Sequence, residues 1–264
     1  FKKAKSEGWD GSRLLAATRN TKWFKQHSEA QRQASVLKTS DPAEYNRRRS
    51  ETYSRVNALA NRTGLTQTSK ILGQVRDLAF LHQWTDQQII DRLATFSSAK
   101  TRVKSDKYTT TGLLAQGESL ARRMSRDYGI SASGNTLANL AVQFARGSRN
   151  SESIQDYFLQ KAKSTYAGIA AELDAGMTVR QVAEPYIDSM SRLWEVNAND
   201  IDVRDNTIKK ALTSRDKDGK PLPRAVWQFE EDLRTDKRWL STNNGRESIF
   251  SSGHKVLRDM GLAV

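Results

Sequence analysis

The chain has 264 residues, 37% apolar and 8% aromatic, with a mean hydropathy of −0.71, a composition expected to build a core that is thin and elongated rather than thick. Its 43 Lys and Arg exceed its 30 Asp and Glu by a formal +13, which draws nucleic acid, anionic membrane or acidic protein surfaces without specifying one. Zero cysteines exclude a disulfide framework, a thiolate zinc site and a cysteine nucleophile, and no run approaches the roughly 18 apolar residues that cross a bilayer.

Helical periodicity runs through almost the whole chain. "TKWFKQH" at 21–27 sets Trp23 and Phe24 between lysines, and "DKRWLSTNNG" at 236–245 echoes it. In "SDPAEYN", Asp41 is placed to cap a helix that starts at Pro42, with Glu44 closing a capping box. Ile71, Leu72, Val75, Leu78 and Ala79 form one stripe, and Ile89, Ile90, Leu93 and Phe96 form the next, started by Thr85 or Asp86. The polar stretch 97–112 reads as an exposed loop.

Leu113, Gly117, Leu120, Ala121, Met124 and Tyr128 line a further face, and Ser151 is placed to start the helix after it. Val179, Val182, Ala183, Tyr186, Ile187, Met190, Leu193 and Trp194 line another, in which Pro185 is expected to kink or restart the helix. "SRDKDGKPLP" at 214–223 is a loop rich in turn formers, and Asn244 with Glu247 offers a last capping box. Strand-like alternation is hard to find, so the expected class is all-α.

An internal repeat accompanies these helices. Gly64, Gly129, Val196 and Gly261 stand in like settings at the ends of helices, 65, 67 and 65 residues apart. The simplest reading is four diverged helical units, 1–64, 65–129, 130–195 and 196–264, stacked as an array. On that reading Trp23 and Trp239 occupy equivalent core positions, and Trp84 and Trp194 also pack in the core rather than stacking on bases.

Little in the sequence points to chemistry. His27, His82 and His254 lie far apart in the chain, and no cofactor or metal is expected. Glu230 or Glu231 would be the general acid of a cell-wall hydrolase, but acidic residues favouring a helix dipole explain them better. No phosphate-cradling glycine motif is present. Arg47, Arg48 and Arg49, with Arg122 and Arg123, form the basic clusters on which a nucleic-acid-binding repeat would depend; a solvated face is the simpler account.

Several passages carry a family resemblance. "FEEDLRTDKRWLSTNNGRESIFSSGHKVLRDMGL", "GMTVRQVAEPYIDSMSRLWEVNANDIDVRDNTIKKAL", "TRNTKWFKQHSEAQRQASVLKTSDPAEYNRRR" and "ARRMSRDYGISASGNTL" resemble the terminal region of large virion proteins of tailed bacteriophages, especially phages of actinobacteria. The likeness spans most of the chain, and its motifs are structural, with no catalytic residue to carry across. It implies a non-enzymatic tape-measure, minor tail or internal ejection protein in the virion, packed on portal, tail or baseplate proteins beside encapsidated DNA and delivered to the host on infection. With no methionine at Phe1, the chain is expected to be the C-terminal part of a longer protein, some relatives of which carry a cell-wall hydrolase elsewhere.

Overall fold

A computed structural model describes residues 2–96 and 110–260. Among them the fold is all-α, and the only extended pairing is an isolated bridge between Arg215 and Pro221. No described helix is long and apolar enough to cross a membrane. The 214–223 stretch is the expected loop, whereas 97–109 lies outside the described residues.

The chain divides into two compact units, one comprising the described residues of Phe1–Gly117 with Ala141–Ser148, the other those of Glu118–Leu140 with Arg149–Val264. The first holds α1 (Lys2–Ser6), α2 (Gly11–Arg19), α3 (Lys22–Gln26), α4 (Glu29–Ser40), α5 (Pro42–Thr63), α6 (Ser69–His82) and α7 (Asp86–Ala94). Helices α8 (Gly112–Asp127) and α9 (Gly134–Arg146) each contribute to both units.

In the first unit α5 is the central helix, packed by α4, α6 and α7. Val56, Leu59 and Ala60 of α5 meet Val75 and Ala79 of α6 and Ile89, Ile90 and Leu93 of α7 in the buried core. Residues three and four apart share a helix face, so each short run buries one stripe and leaves the other wet. The end of α5 is fixed by Gly64, whose φ of 73° is left-handed and whose hypothetical Cβ would lie 1.9 Å from the Thr111 carbonyl oxygen. Only glycine meets both demands.

The second unit adds α10 (Ser151–Thr165), α11 (Ala170–Asp174), α12 (Val179–Val182), α13 (Glu184–Trp194), α14 (Asn206–Leu212), α15 (Val226–Thr235), α16 (Lys237–Leu240) and α17 (Asn243–Asp259). Pro185 does restart the helix, since α12 ends at Val182 and α13 begins one residue past Ala183. Phe158, Tyr166, Phe229 and Leu233 are fully buried. Tyr186 meets the Phe229 ring edge-on at 5.1 Å, while its hydroxyl donates to the Arg224 carbonyl at 2.6 Å. Burial pushes the Tyr166 hydroxyl up to about 12, keeping it a donor, and it donates to the Gly129 carbonyl at 2.8 Å.

One part of the internal repeat has a shared geometry. "MSRDYGI" at 124–130 and "MSRLWEV" at 190–196 end their helices alike: the amides of Ile130 and Val196 return to the carbonyls of Ser125 and Ser191, at 2.9 and 3.2 Å. The two serine hydroxyls donate back to the carbonyls of Ile130 and Val196, at 2.5 and 2.7 Å. Gly129 and Glu195 are the left-handed residues, at φ 62° and 54°, so the counterpart of Gly129 is Glu195 and not Val196. Gly64 ends α5 differently, because the Leu65 amide bonds the Thr63 hydroxyl instead.

Several caps differ from expectation. Asp41 does accept from the Glu44 amide at 2.9 Å, but the Glu44 carboxylate turns to Arg47 and Arg48, so no reciprocal box forms there. Thr85 and Gln88 form a complete box on α7. The cap of α10 is Asn150 rather than Ser151, and that of α17 is Thr242 rather than Asn244. In each of these two corrections a residue just upstream already has the extended backbone a cap requires.

Candidate functional site

The first unit carries a concavity. It is an open groove of about 1200 Å³ between α2, α3, α4, α5 and α6. Its apolar wall comes from Leu15, Trp23, Phe24, Val36, Leu37 and Phe80. Leu15, Trp23 and Val36 are 49%, 46% and 63% exposed, so this wall lacks a partner from the unit itself. The helix period explains the arrangement: α4 turns Arg32, Val36 and Ser40, spaced four apart, into the groove.

The groove mouth is held in shape by polar contacts. Thr21 caps α3 by accepting from the Phe24 amide at 3.2 Å, and Ser28 with Gln31 forms a capping box that starts α4. Arg32 lays its guanidinium over the Phe24 ring at 3.8 Å and donates to the carbonyls of Phe24 and His27, which ends α3. Four arginines, Arg19, Arg32, Arg48 and Arg55, line the groove against two glutamates, Glu29 and Glu51. Glu44 pairs with Arg48 and Asp86 with Arg55, which leaves Arg19 and Arg32 as the rim guanidiniums that no carboxylate of the described residues pairs.

The tryptophans expected in the core separate. Trp194 is buried, with the Arg238 guanidinium 3.6 Å above its ring. Trp84 and Trp239 are half-buried. Trp23 stands outside the core and stacks on His27 at 4.9 Å, so the equivalence drawn between Trp23 and Trp239 does not extend to burial. The cause is local: α3 is only five residues long and buries no side chain fully.

The basic clusters are largely neutralised by their neighbours. Arg47 bonds Glu44 at 2.7 Å and Glu51 at 2.5 Å, Arg48 bonds Glu44 at 2.6 Å, and Arg49 bonds Asp77 at 3.0 Å. The guanidiniums of Arg47 and Arg48 hold the Glu44 carboxyl down at about 2. Burial alone would raise Asp77, but hydrogen bonds from Tyr53 and Arg49 outweigh it and lower the carboxyl. Arg122 bonds Glu118 at 2.9 Å, one turn before it, and Arg123 is exposed beside it. For Arg47, Arg48 and Arg122, spacings of three and four residues on one helix put the charges face to face, whereas Arg49 reaches from α5 to Asp77 on α6.

The remaining candidates are scattered or engaged. Among the described residues no three His, Asp or Glu side chains gather as a metal site. His27, His82 and His254 each lie beside an aromatic ring, Trp23, Trp84 and Phe250 respectively. The Glu230 carboxylate accepts from the Ser189 hydroxyl at 3.0 Å and pairs with Arg192 and Arg234. Glu231 is exposed on α15.

A second open surface, in the other unit, is α17. Its start is anchored, with Gly245 buried and the Glu195 carboxylate accepting from the amides of Asn243 and Asn244 at 3.1 and 2.8 Å. From Arg246 to Met260 every residue is exposed, including Ile249, Phe250, Val256, Leu257 and Met260. The sequence reading did not single out Leu15, Val36 or this stripe. Apolar spacing marks a helix face, but whether a face is covered depends on tertiary packing.

No protein-family model, no curated protein and no solved structure matches the chain.

Proposed function

We propose that the chain is a non-enzymatic structural component of a tailed-phage particle, of the tape-measure, minor tail or internal ejection type. The resemblance of its passages to phage virion proteins supports the setting, and the open groove of the first unit supports the mode of action. In this reading the groove takes a helix of a portal, tail or baseplate protein whose apolar stripe is flanked by carboxylates. The apolar wall of Leu15, Trp23 and Val36 receives the stripe, and Arg19 and Arg32, the rim guanidiniums not paired with a carboxylate among the described residues, select an acidic flank. Contacts of this kind are numerous and individually weak, which suits a component that leaves the particle with the DNA.

The observation that carries the docking role is the exposure of those three large side chains on one wall. Duplex DNA is a poorer occupant, because it needs unpaired cations and Arg47, Arg48, Arg49 and Arg122 already face carboxylates. A hydrolytic role for Glu230 has little support, since that carboxylate is held by two arginines and a serine.

The test is incorporation into particles. Mass spectrometry of purified virions should find the wild-type chain, and a chain carrying Trp23→Ala with Val36→Glu should be depleted at least tenfold. Both side chains are exposed, so folding should change by only about 0.5 kcal/mol each. A wild-type chain missing from the particles overturns the virion assignment, and normal incorporation of the double variant overturns the groove.

A further inference from the structure

We infer that Asn244 is a spontaneous deamidation site that the anchored start of α17 keeps silent, so that the reaction runs only when that start comes loose. It depends neither on the virion assignment nor on the groove. Asn244 precedes Gly245, and no other Asn-Gly step occurs in the sequence. With no side chain to hinder it, the Gly245 backbone nitrogen of an unfolded turn can attack the side-chain carbonyl carbon of Asn244. The new N–C bond closes a five-membered succinimide while the bond to the side-chain nitrogen breaks, and that nitrogen leaves with the backbone proton as ammonia. Water then opens the ring at either carbonyl, giving aspartate or isoaspartate. Water is the only co-reactant.

Packing accounts for the presence of so reactive a pair. A Cβ at residue 245 would lie 2.1 Å from the Trp239 carbonyl oxygen, so the first turn of α17 passes too close to the backbone of α16 for any residue but glycine. Asn244, for its part, donates from its side-chain Nδ2 to the Arg192 carbonyl at 3.4 Å, tying α17 to the end of α13. Each residue answers a contact of its own, and the two happen to be neighbours.

The same contacts withhold the reaction. The Asn244 side chain is exposed to water, but Gly245 is buried, and its N–H donates to the Thr242 hydroxyl at 3.0 Å, which opposes loss of the proton that the attack requires. The Glu195 carboxylate accepts from the amides of Asn243 and Asn244 at 3.1 and 2.8 Å and holds residue 244 in the helix, whose backbone torsions do not let the ring close. Closure therefore waits for the first turn to open. Once it has run, a carboxylate replaces the amide that donated to Arg192 and adds a second negative charge near Glu195, and the isoaspartate form also lengthens the main chain by one carbon within that turn. Deamidation is thus a one-way mark of release, because the original anchor cannot re-form.

The reaction can be followed at a single peptide. The 264-residue chain is incubated in mildly alkaline buffer, and the asparagine, aspartate and isoaspartate forms of the peptide carrying residue 244 are separated by chromatography and identified by mass spectrometry. Deamidation should be at least tenfold slower in native buffer than in strong urea. Below the unfolding transition the rate should stay flat as urea is added, since a local opening exposes little new surface. Glu195→Gly should raise the native rate at least threefold and leave it flat in low urea. That variant removes the carboxylate but suits the left-handed φ of 54° at residue 195, so α13 keeps its ending. Thr242→Ala, which removes the acceptor of the Gly245 proton, should act in the same direction. A native wild-type rate within twofold of that in strong urea, a rate that climbs in step with global unfolding, or native rates in both variants no faster than wild type would each overturn the inference.

Discussion

At the scale of single residues, burial separates side chains that composition treats alike. Trp194 sits under the Arg238 guanidinium, which is itself held by Asp236 at 3.0 Å, and its indole N–H reaches the Leu233 carbonyl at 3.4 Å. Trp23 has one stacked histidine and open solvent. Trp194→Ala should therefore cost about 3–5 kcal/mol, while Trp23→Ala should cost less than about 1 kcal/mol. Urea denaturation of the two variants measures the difference, and equal losses would contradict the burial described here. Gly129 shows the same dependence on surroundings, because its left-handed φ and the Tyr166 hydroxyl, 2.7 Å from where a Cβ would sit, both exclude a side chain.

At the scale of the element, α5 binds its own charges. Glu44 lies one turn before Arg47 and Arg48, and Arg47 reaches forward to Glu51, so a run that reads as a basic patch becomes an alternating ladder. The pH consequence has a definite sign. Glu44 has an ordinary value of 4.5 and a folded value of about 2, so the stabilisation it gives is fully present above pH 4.5 and is lost as the pH falls through 2. Carboxyl-resolved NMR titration should place Glu44 near 2, and titration near 4.5 would mean that the two guanidiniums do not hold it. Because the carboxylate is at the surface, salt should move the midpoint upward.

At the scale of the whole molecule, the formal charge of +13 overstates the cationic surface offered to phosphate. Much of the arginine content is paired with carboxylates, through contacts such as Arg146 with Asp91 at 2.6 Å and Arg224 with Asp232 at 2.6 Å. The chain should therefore hold duplex DNA weakly, and filter retention should vanish by about 0.15 M salt, where each counterion released into the bulk gains less entropy. Tight retention at that salt would favour the nucleic-acid reading.

The amino-acid order by itself determined the helical class, the capped start of α5 at Asp41, the restart at Pro185 and the glycine endings at Gly64 and Gly129. These follow from contacts within a few residues, where backbone geometry and one side chain decide the outcome. The tertiary structure decided which apolar stripe is covered. Trp194 is buried and Trp23 is not, and α17 leaves its stripe open, although the local pattern of each reads much the same. Burial is a property of the neighbours that distant segments bring, and periodicity along one helix carries no record of them.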